Sequence, residues 1–204
     1  MIDFYTWKTP NGQKIAIMLE EVKLPYKPIF VDLKEGEQFK MEFLQINPNN
    51  KIPVIIDHDG PNHKPINIFE SGAILIYMAE KTGQFLPSDP RQRILAMEWL
   101  IFQVSGVGPM LGQLHHFLHY AAEKIPYAVE RYLNEARRLY RVMDDHLEKE
   151  RYFAKEYSIA DIAIFPWVNL YERQHIDITD YPNLQRWHSM IANRPAVTKG
   201  LALI

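Results

Sequence analysis

An α/β domain followed by an all-helical domain is the fold class this sequence predicts. Strand and helix signals alternate as far as Lys81, Gly and Pro punctuate residues 82–90, and from Arg91 onward the apolar spacing is helical throughout. The expected division is 1–83 and 90–204.

The first domain reads as strands at 2–5, 26–32, 54–57 and 66–69 and helices at 14–21, 41–46 and 71–81, a βαβ unit followed by ββα. Pro53 stands directly before a β-branched run and holds Ile52 extended. Residues 58–65, rich in turn formers, make a hairpin connection longer than the common two-residue loop. This order of elements is thioredoxin-like.

In the second domain Ile94, Met97, Leu100, Ile101 and Val104 recur at helical spacing until Gly106, Gly108 and Pro109, which are expected to break or kink the helix. A short helix is expected at 111–120. Pro126 at a first-turn position opens a long helix with Ala128, Tyr132, Ala136, Leu139, Val142, Met143 and Leu147 as its apolar stripe. Ser158-Ile159-Ala160-Asp161 is a capping box, with Tyr157 placed as a staple, and starts an apolar helix at 162–170. A last helix at 184–192 ends before Pro195, which starts the tail.

Composition narrows the function classes. With 47% hydrophobic and 24% charged residues the chain has ample material for a core, and a net charge of -2 gives no reason to expect nucleic acid or an anionic membrane as partner. No run of consecutive apolar residues reaches the roughly 18 that a membrane span needs, and the N-terminus lacks a secretory pattern, so a cytoplasmic protein is expected. The chain has 0 cysteines, which removes disulfide staples, thiolate metal sites and any protein-borne thiol nucleophile. Sulfur chemistry, if there is any, must be brought by a ligand.

Two motifs carry the most chemistry. Asn49-Asn50-Lys51-Ile52-Pro53-Val54 leaves a strand edge open at Ile52, and Phe69-Glu70-Ser71-Gly72-Ala73-Ile74 runs from a strand end into a helix start, where free N–H groups and the helix dipole favour a carboxylate. Together they describe a site for a short extended peptide, with its backbone paired at Ile52, a carboxylate at Ser71 and an amine at Glu70. Glutathione fits. Taken alone, Glu70 and Ser71 would read as a helix N-cap, worth about 1 kcal/mol of structure.

These motifs resemble the glutathione-binding signatures of the glutathione S-transferase family, in which the proline is cis and the Glu-Ser pair holds the γ-glutamyl end. Thr9-Pro10-Asn11-Gly12, Gly36-Glu37-Gln38-Phe39, the segment from Gly108 to Gln113 and Ile125-Pro126-Tyr127-Ala128 with Glu130-Arg131-Tyr132 are similar to the nu class, bacterial and fungal proteins associated with glutathione-dependent disulfide reduction. The resemblance implies a glutathione transferase fold with its active site in the cleft between the domains, glutathione as co-substrate without a metal, and a homodimer.

It also implies residue roles. Asn11 and Thr9 would tend the glutathione sulfur, although a plain Pro-Asn-Gly turn would also account for these residue types. Tyr5 belongs to the strand core. Ile52, Pro53, Glu70 and Ser71 would anchor the peptide, Lys51 and Gln38 would neighbour its carboxylates, and Arg131 would either reach the site or remain one more exposed charge. Met110, His116 and Phe117 would wall the acceptor pocket, or simply pack at the helix kink. His115 and His119 share a helical face, but the zinc-protease pattern needs a glutamate where His116 stands, so no metal is expected. The acceptor would be a small disulfide, making a disulfide-bond reductase, or an electrophile, making a conjugating transferase. A glutathione-binding interaction module stays open as a third reading.

Overall fold

The computed structural model describes residues 1–204, which divide into two units, Met1–Gln84 with Arg194–Ile204, and Phe85–Asn193. The expected 90–204 domain differs from this division at its end, where Arg194–Ile204 joins the first unit.

In the first unit β1 (Ile2–Thr6), β2 (Tyr26–Phe30), β3 (Val54–Asp57) and β4 (Ile66–Phe69) form one sheet in the order β2-β1-β3-β4. β1 and β2 run parallel because α1 (Pro10–Val22) crosses between them, and the other pairs are antiparallel. A short α2 (Met41–Leu44) precedes β3, and α3 (Ser71–Thr82) follows β4, completing the thioredoxin-like arrangement. The run Ile15-Ala16-Ile17-Met18-Leu19 of α1 is entirely buried, consistent with a helix packed on more than one side. α3 covers one side, and α9 (Pro195–Leu203) covers another.

α9 replaces the expected tail. Pro195 occupies the first helical turn, where a missing N–H costs nothing and the fixed φ already suits a helix, so the residue that ends one helix begins the next. Gly200 allows the approach, since a Cβ there would sit 2.7 Å from the Ile17 backbone nitrogen. Arg194 clasps Glu21 at 2.7 Å.

The second unit contains α4 (Pro90–Phe102), α5 (Gly108–His115), α6 (Pro126–Leu147), α7 (Ile159–Val168) and α8 (Pro182–Ala192). The break expected near Gly106 is a π-helical turn, Gln103–Val107, that carries α4 into α5, and a second such turn spans His116–Tyr120. The wider turn absorbs one extra residue, so the N–H that Pro109 lacks falls where the ladder has already shifted register. The resulting path, Pro90–Tyr120, has 31 residues and a window of mean hydropathy 1.4, long and apolar enough by length and composition to cross a membrane. Counting consecutive apolar residues misses it because Gln103, Ser105 and Gln113 interrupt the run without adding charge.

α6 buries Ala136, Leu139, Met143 and Leu147 of its expected stripe. α7 starts at Ile159, directly after the Ser158 cap, because the capping box satisfies its first N–H groups there. Tyr157 packs edge-on against Phe85.

Candidate functional site

Sheet register gathers the motifs of the first unit. Tyr5 pairs with Val54, and Val54 with Phe69, so the segments that follow β1, precede β3 and follow β4 emerge at one end of the sheet. There Asn11, Asn47, Lys51, Ile52, Pro53, Glu70 and Ser71 line a cavity of about 70 Å³. Six of these seven are expected from the sequence, and Asn47 is not.

The Ile52–Pro53 peptide bond is cis. Asn47, 1% exposed, fixes the turn before it by donating from Nδ2 to the Lys51 carbonyl at 2.6 Å and accepting from the Asn49 N–H at 2.9 Å. Asn49 in turn donates to Glu70 Oε1 at 3.4 Å, which joins the two motifs. Glu70 has φ +70° and ψ 116°, a conformation that costs a non-glycine residue of order 1–3 kcal/mol and is found where surrounding structure imposes it. It stands at the N-cap of α3 without a side-chain cap hydrogen bond.

Ser71 is therefore the first residue of the helix, not its cap, and its hydroxyl is not consumed in capping. The hydroxyl oxygen accepts from Lys14 Nζ at 3.2 Å. Lys14 lies on the buried face of α1, 2% exposed. Burial pushes its pKa down to about 7, and the Glu70 charge offsets only part of that fall. Neither Lys14 nor Asn47 announces itself in the sequence, because a lysine in a helix reads as a surface charge and an asparagine before proline reads as a turn.

Other expected residues lie elsewhere. Thr9 caps α1, its hydroxyl accepting from the Gly12 N–H at 3.1 Å, and is not on the cavity wall. Beneath that loop only glycine fits at position 12, where a Cβ would lie 2.5 Å from Thr6 Oγ1 and 2.6 Å from the Trp7 carbonyl. Gln38 is also off the wall; its Nε2 donates to the Leu33 carbonyl at 3.4 Å, and its Oε1 is buried without a hydrogen-bond partner. Tyr5, expected in the core, is half-buried and lines a groove with Val31 and Phe43.

In the second unit Met110, Arg131, Tyr132, Asn134, Glu135 and Arg138 line a cavity of about 630 Å³. Phe117 stacks on Tyr132 at 5.6 Å and His116 meets Phe117 edge-on at 5.0 Å, and neither is on that wall. Arg138 is held by both oxygens of Glu135, at 2.8 and 2.7 Å, whereas Arg131 is exposed. Burial, with the nearby charges of His119 and Arg173, pushes the His115 pKa down to about 4. No group of three or more His, Cys, Asp or Glu residues is arranged to hold a metal.

The glutathione S-transferase N-terminal domain matches residues 2–80, and the glutathione S-transferase C-terminal domain matches residues 109–195. The chain belongs to the glutathione S-transferase family. Within that family it is 53% identical over 203 residues to the disulfide-bond oxidoreductase YfcG of Escherichia coli (strain K12), across 98% of this chain and 94% of YfcG. A glutathione transferase from Pseudomonas putida, solved with one glutathione disulfide per subunit, superposes with a TM-score of 0.94 at 45% identity, covering 98% of this chain and 90% of that one. Another from Burkholderia graminis, solved with two glutathione molecules per subunit, gives a TM-score of 0.93 at 45% identity over 98% and 87% of the two chains.

Proposed function

We propose that this glutathione S-transferase is a glutathione-dependent disulfide-bond reductase in which bound glutathione supplies the thiolate. The observation that carries the reading is the cavity at Asn11, Ile52, Pro53, Glu70 and Ser71, in a chain with 0 cysteines. The Ile52 backbone offers strand pairing to an extended peptide, the start of α3 with Ser71 offers donors to its α-carboxylate, and Glu70 accepts its amine. Lys51 neighbours a second carboxylate. Asn11 is the side chain assigned to the sulfur. A free thiol with a pKa near 8.5 is only a few per cent ionised at neutral pH, so a hydrogen bond worth about 1.4 kcal/mol to the thiolate multiplies the reactive fraction several-fold.

The thiolate attacks one sulfur of an acceptor disulfide, forming a glutathionyl mixed disulfide and releasing the other sulfur as a thiolate, which is then protonated. A second glutathione thiolate attacks the glutathione-side sulfur of that mixed disulfide and releases the remaining acceptor thiolate. The sum is two acceptor thiols and one glutathione disulfide. The presence of glutathione disulfide in the Pseudomonas putida relative and the name of YfcG both support this over conjugation. In the second unit, the exposed Arg131 guanidinium suits an anionic reactant, with Met110 on the same cavity wall and Phe117 stacked on Tyr132 of that wall.

Because exchange through the enzyme needs a protein sulfur, disulfide reduction should survive pretreatment with an alkylating thiol reagent that is removed before assay. Intact-mass measurement during turnover should show no glutathione adduct. A covalent glutathionyl enzyme, or conjugation of chlorodinitrobenzene without any disulfide reduction, would replace this reading with the alternative.

The same reading places the protein in the cytoplasm, in the nu class and as a two-fold homodimer. Ile94 and Ile101 of α4, 68% and 53% exposed, are candidates for the shared surface. Sedimentation velocity at micromolar concentration should give a dimer, and a monomer there would remove the assembly from the proposal.

A further inference from the structure

Lys14 is the only lysine or arginine among the buried residues, and it interrupts the apolar face of α1 just ahead of Ile15. Packing alone does not call for it, since a methionine of similar length would fill the same space without the cost of desolvating an ammonium group. Its Nζ ends 3.2 Å from the hydroxyl oxygen of Ser71, a residue on the cavity wall, while Lys14 itself is not on that wall. The amine thus meets the subsite from below.

A hydroxyl has one hydrogen and two lone pairs. While the Lys14 ammonium donates to Ser71 Oγ, the Ser71 hydrogen is left to point elsewhere, and the cavity is where a carboxylate would receive it. A neutral Lys14 has a lone pair that can take that hydrogen, leaving Ser71 to present its own lone pairs to an anion. One proton on Lys14 therefore decides whether the Ser71 hydroxyl offers its hydrogen or its lone pairs to a carboxylate.

We propose that Lys14 is a positioning residue for carboxylate recognition, aiming the Ser71 hydroxyl at the ligand, and that it gains a proton when glutathione binds. The proposal rests on reading this cavity as the glutathione site. An arriving carboxylate raises the proton affinity of a neighbouring amine, and linkage then makes binding weaken as pH rises. Burial lowers the Lys14 pKa to about 7, and an arriving carboxylate opposes that fall. On α3, Glu70 is the group whose charge acts on Lys14, Lys81 is paired with Asp57 at 2.8 Å, and Glu80 is exposed. Arg194, at the start of α9, is paired with Glu21, Lys199 lies further along α9, and Lys51 comes from the turn before β3.

Isothermal titration calorimetry with S-methylglutathione, which has no ionisable thiol, tests this in buffers of different ionisation enthalpy. The parent protein should take up roughly half a proton per ligand near pH 7.5, and its affinity should fall about tenfold between about pH 6.5 and 8.5. Lys14→Arg, permanently charged, should bind without proton uptake and with a flat profile over that range. Lys14→Met should bind more weakly, also without uptake. Binding by the parent with no proton exchange and no pH dependence overturns the role of Lys14 and leaves the site intact, whether or not the variants fold. Uptake that persists in Lys14→Met overturns it equally. If S-methylglutathione fails to bind the parent at any of these pH values, the glutathione site falls and this proposal falls with it.

Discussion

Asp161→Ala is expected to cost the second unit on the order of 4 kcal/mol, enough to unfold it under conditions where the parent is stable. Asp161 is 0% exposed, and its carboxylate collects four donors: the Phe153 N–H at 3.2 Å, the Ser158 N–H at 3.0 Å, the Ser158 hydroxyl at 3.2 Å and the Trp187 indole at 2.8 Å. One side chain thereby ties the 153–158 loop, the start of α7 and the middle of α8. Alanine strands those donors in a core where water does not reach, and each buried unsatisfied donor costs about 1–3 kcal/mol.

Asp161→Asn keeps an acceptor oxygen and should lose less. Urea denaturation followed by tryptophan fluorescence checks both, and a loss under about 1 kcal/mol for alanine would show that the loop re-pairs by itself. Burial outweighs the donors and lifts the Asp161 pKa from 3.8 to about 6, so the native state binds this proton more tightly than the unfolded chain between those values. Its contribution is complete below about pH 4 and is lost as pH rises through about 6, and Asp161→Asn should flatten that part of the stability profile.

Ser71→Ala is expected to weaken glutathione binding by about ten- to a hundredfold, the roughly 1.5–3 kcal/mol of a hydrogen bond to a charged carboxylate. The helix itself should suffer less. Glu70, not Ser71, holds the N-cap position of α3, so no capping bond is lost, although one acceptor of Lys14 is. Calorimetric titration of glutathione into the folded variant decides the matter. Unchanged affinity would make Ser71 a packing residue, and an equal collapse of stability and binding would make it a structural one.

Much of this architecture is legible in the residues because local and long-range signals agree. The strands at 54–57 and 66–69 have the expected ends, since Pro53 and the change from strand to helix at Glu70 mark them chemically. The convergence of Asn11, Lys51, Ile52, Pro53, Glu70 and Ser71 follows once Val54 is paired with both Tyr5 and Phe69. Legibility fails where one residue type serves opposite ends. Pro195 reads as a stop after α8 but occupies the first turn of α9, and Gly108 with Pro109 reads as a break but sits at a π turn that keeps the helix running. Thr9 and Gln38 reveal another limit. Sequence can propose a hydroxyl or an amide for a ligand without showing which protein groups also meet it, here the Gly12 N–H and the Leu33 carbonyl.

The return of residues 194–204 to the first unit has a consequence for how the protein is made. α1 cannot receive its second covering helix until the ribosome has translated the whole of Phe85–Asn193, so the unit that begins the chain is the last to be completed. Domains generally fold as they emerge, N-terminal first. Here the helical unit has every residue it needs while Ile17 still waits for Gly200 to come against its backbone. The nascent thioredoxin-like unit passes through that interval with the apolar α9-facing side of α1 uncovered.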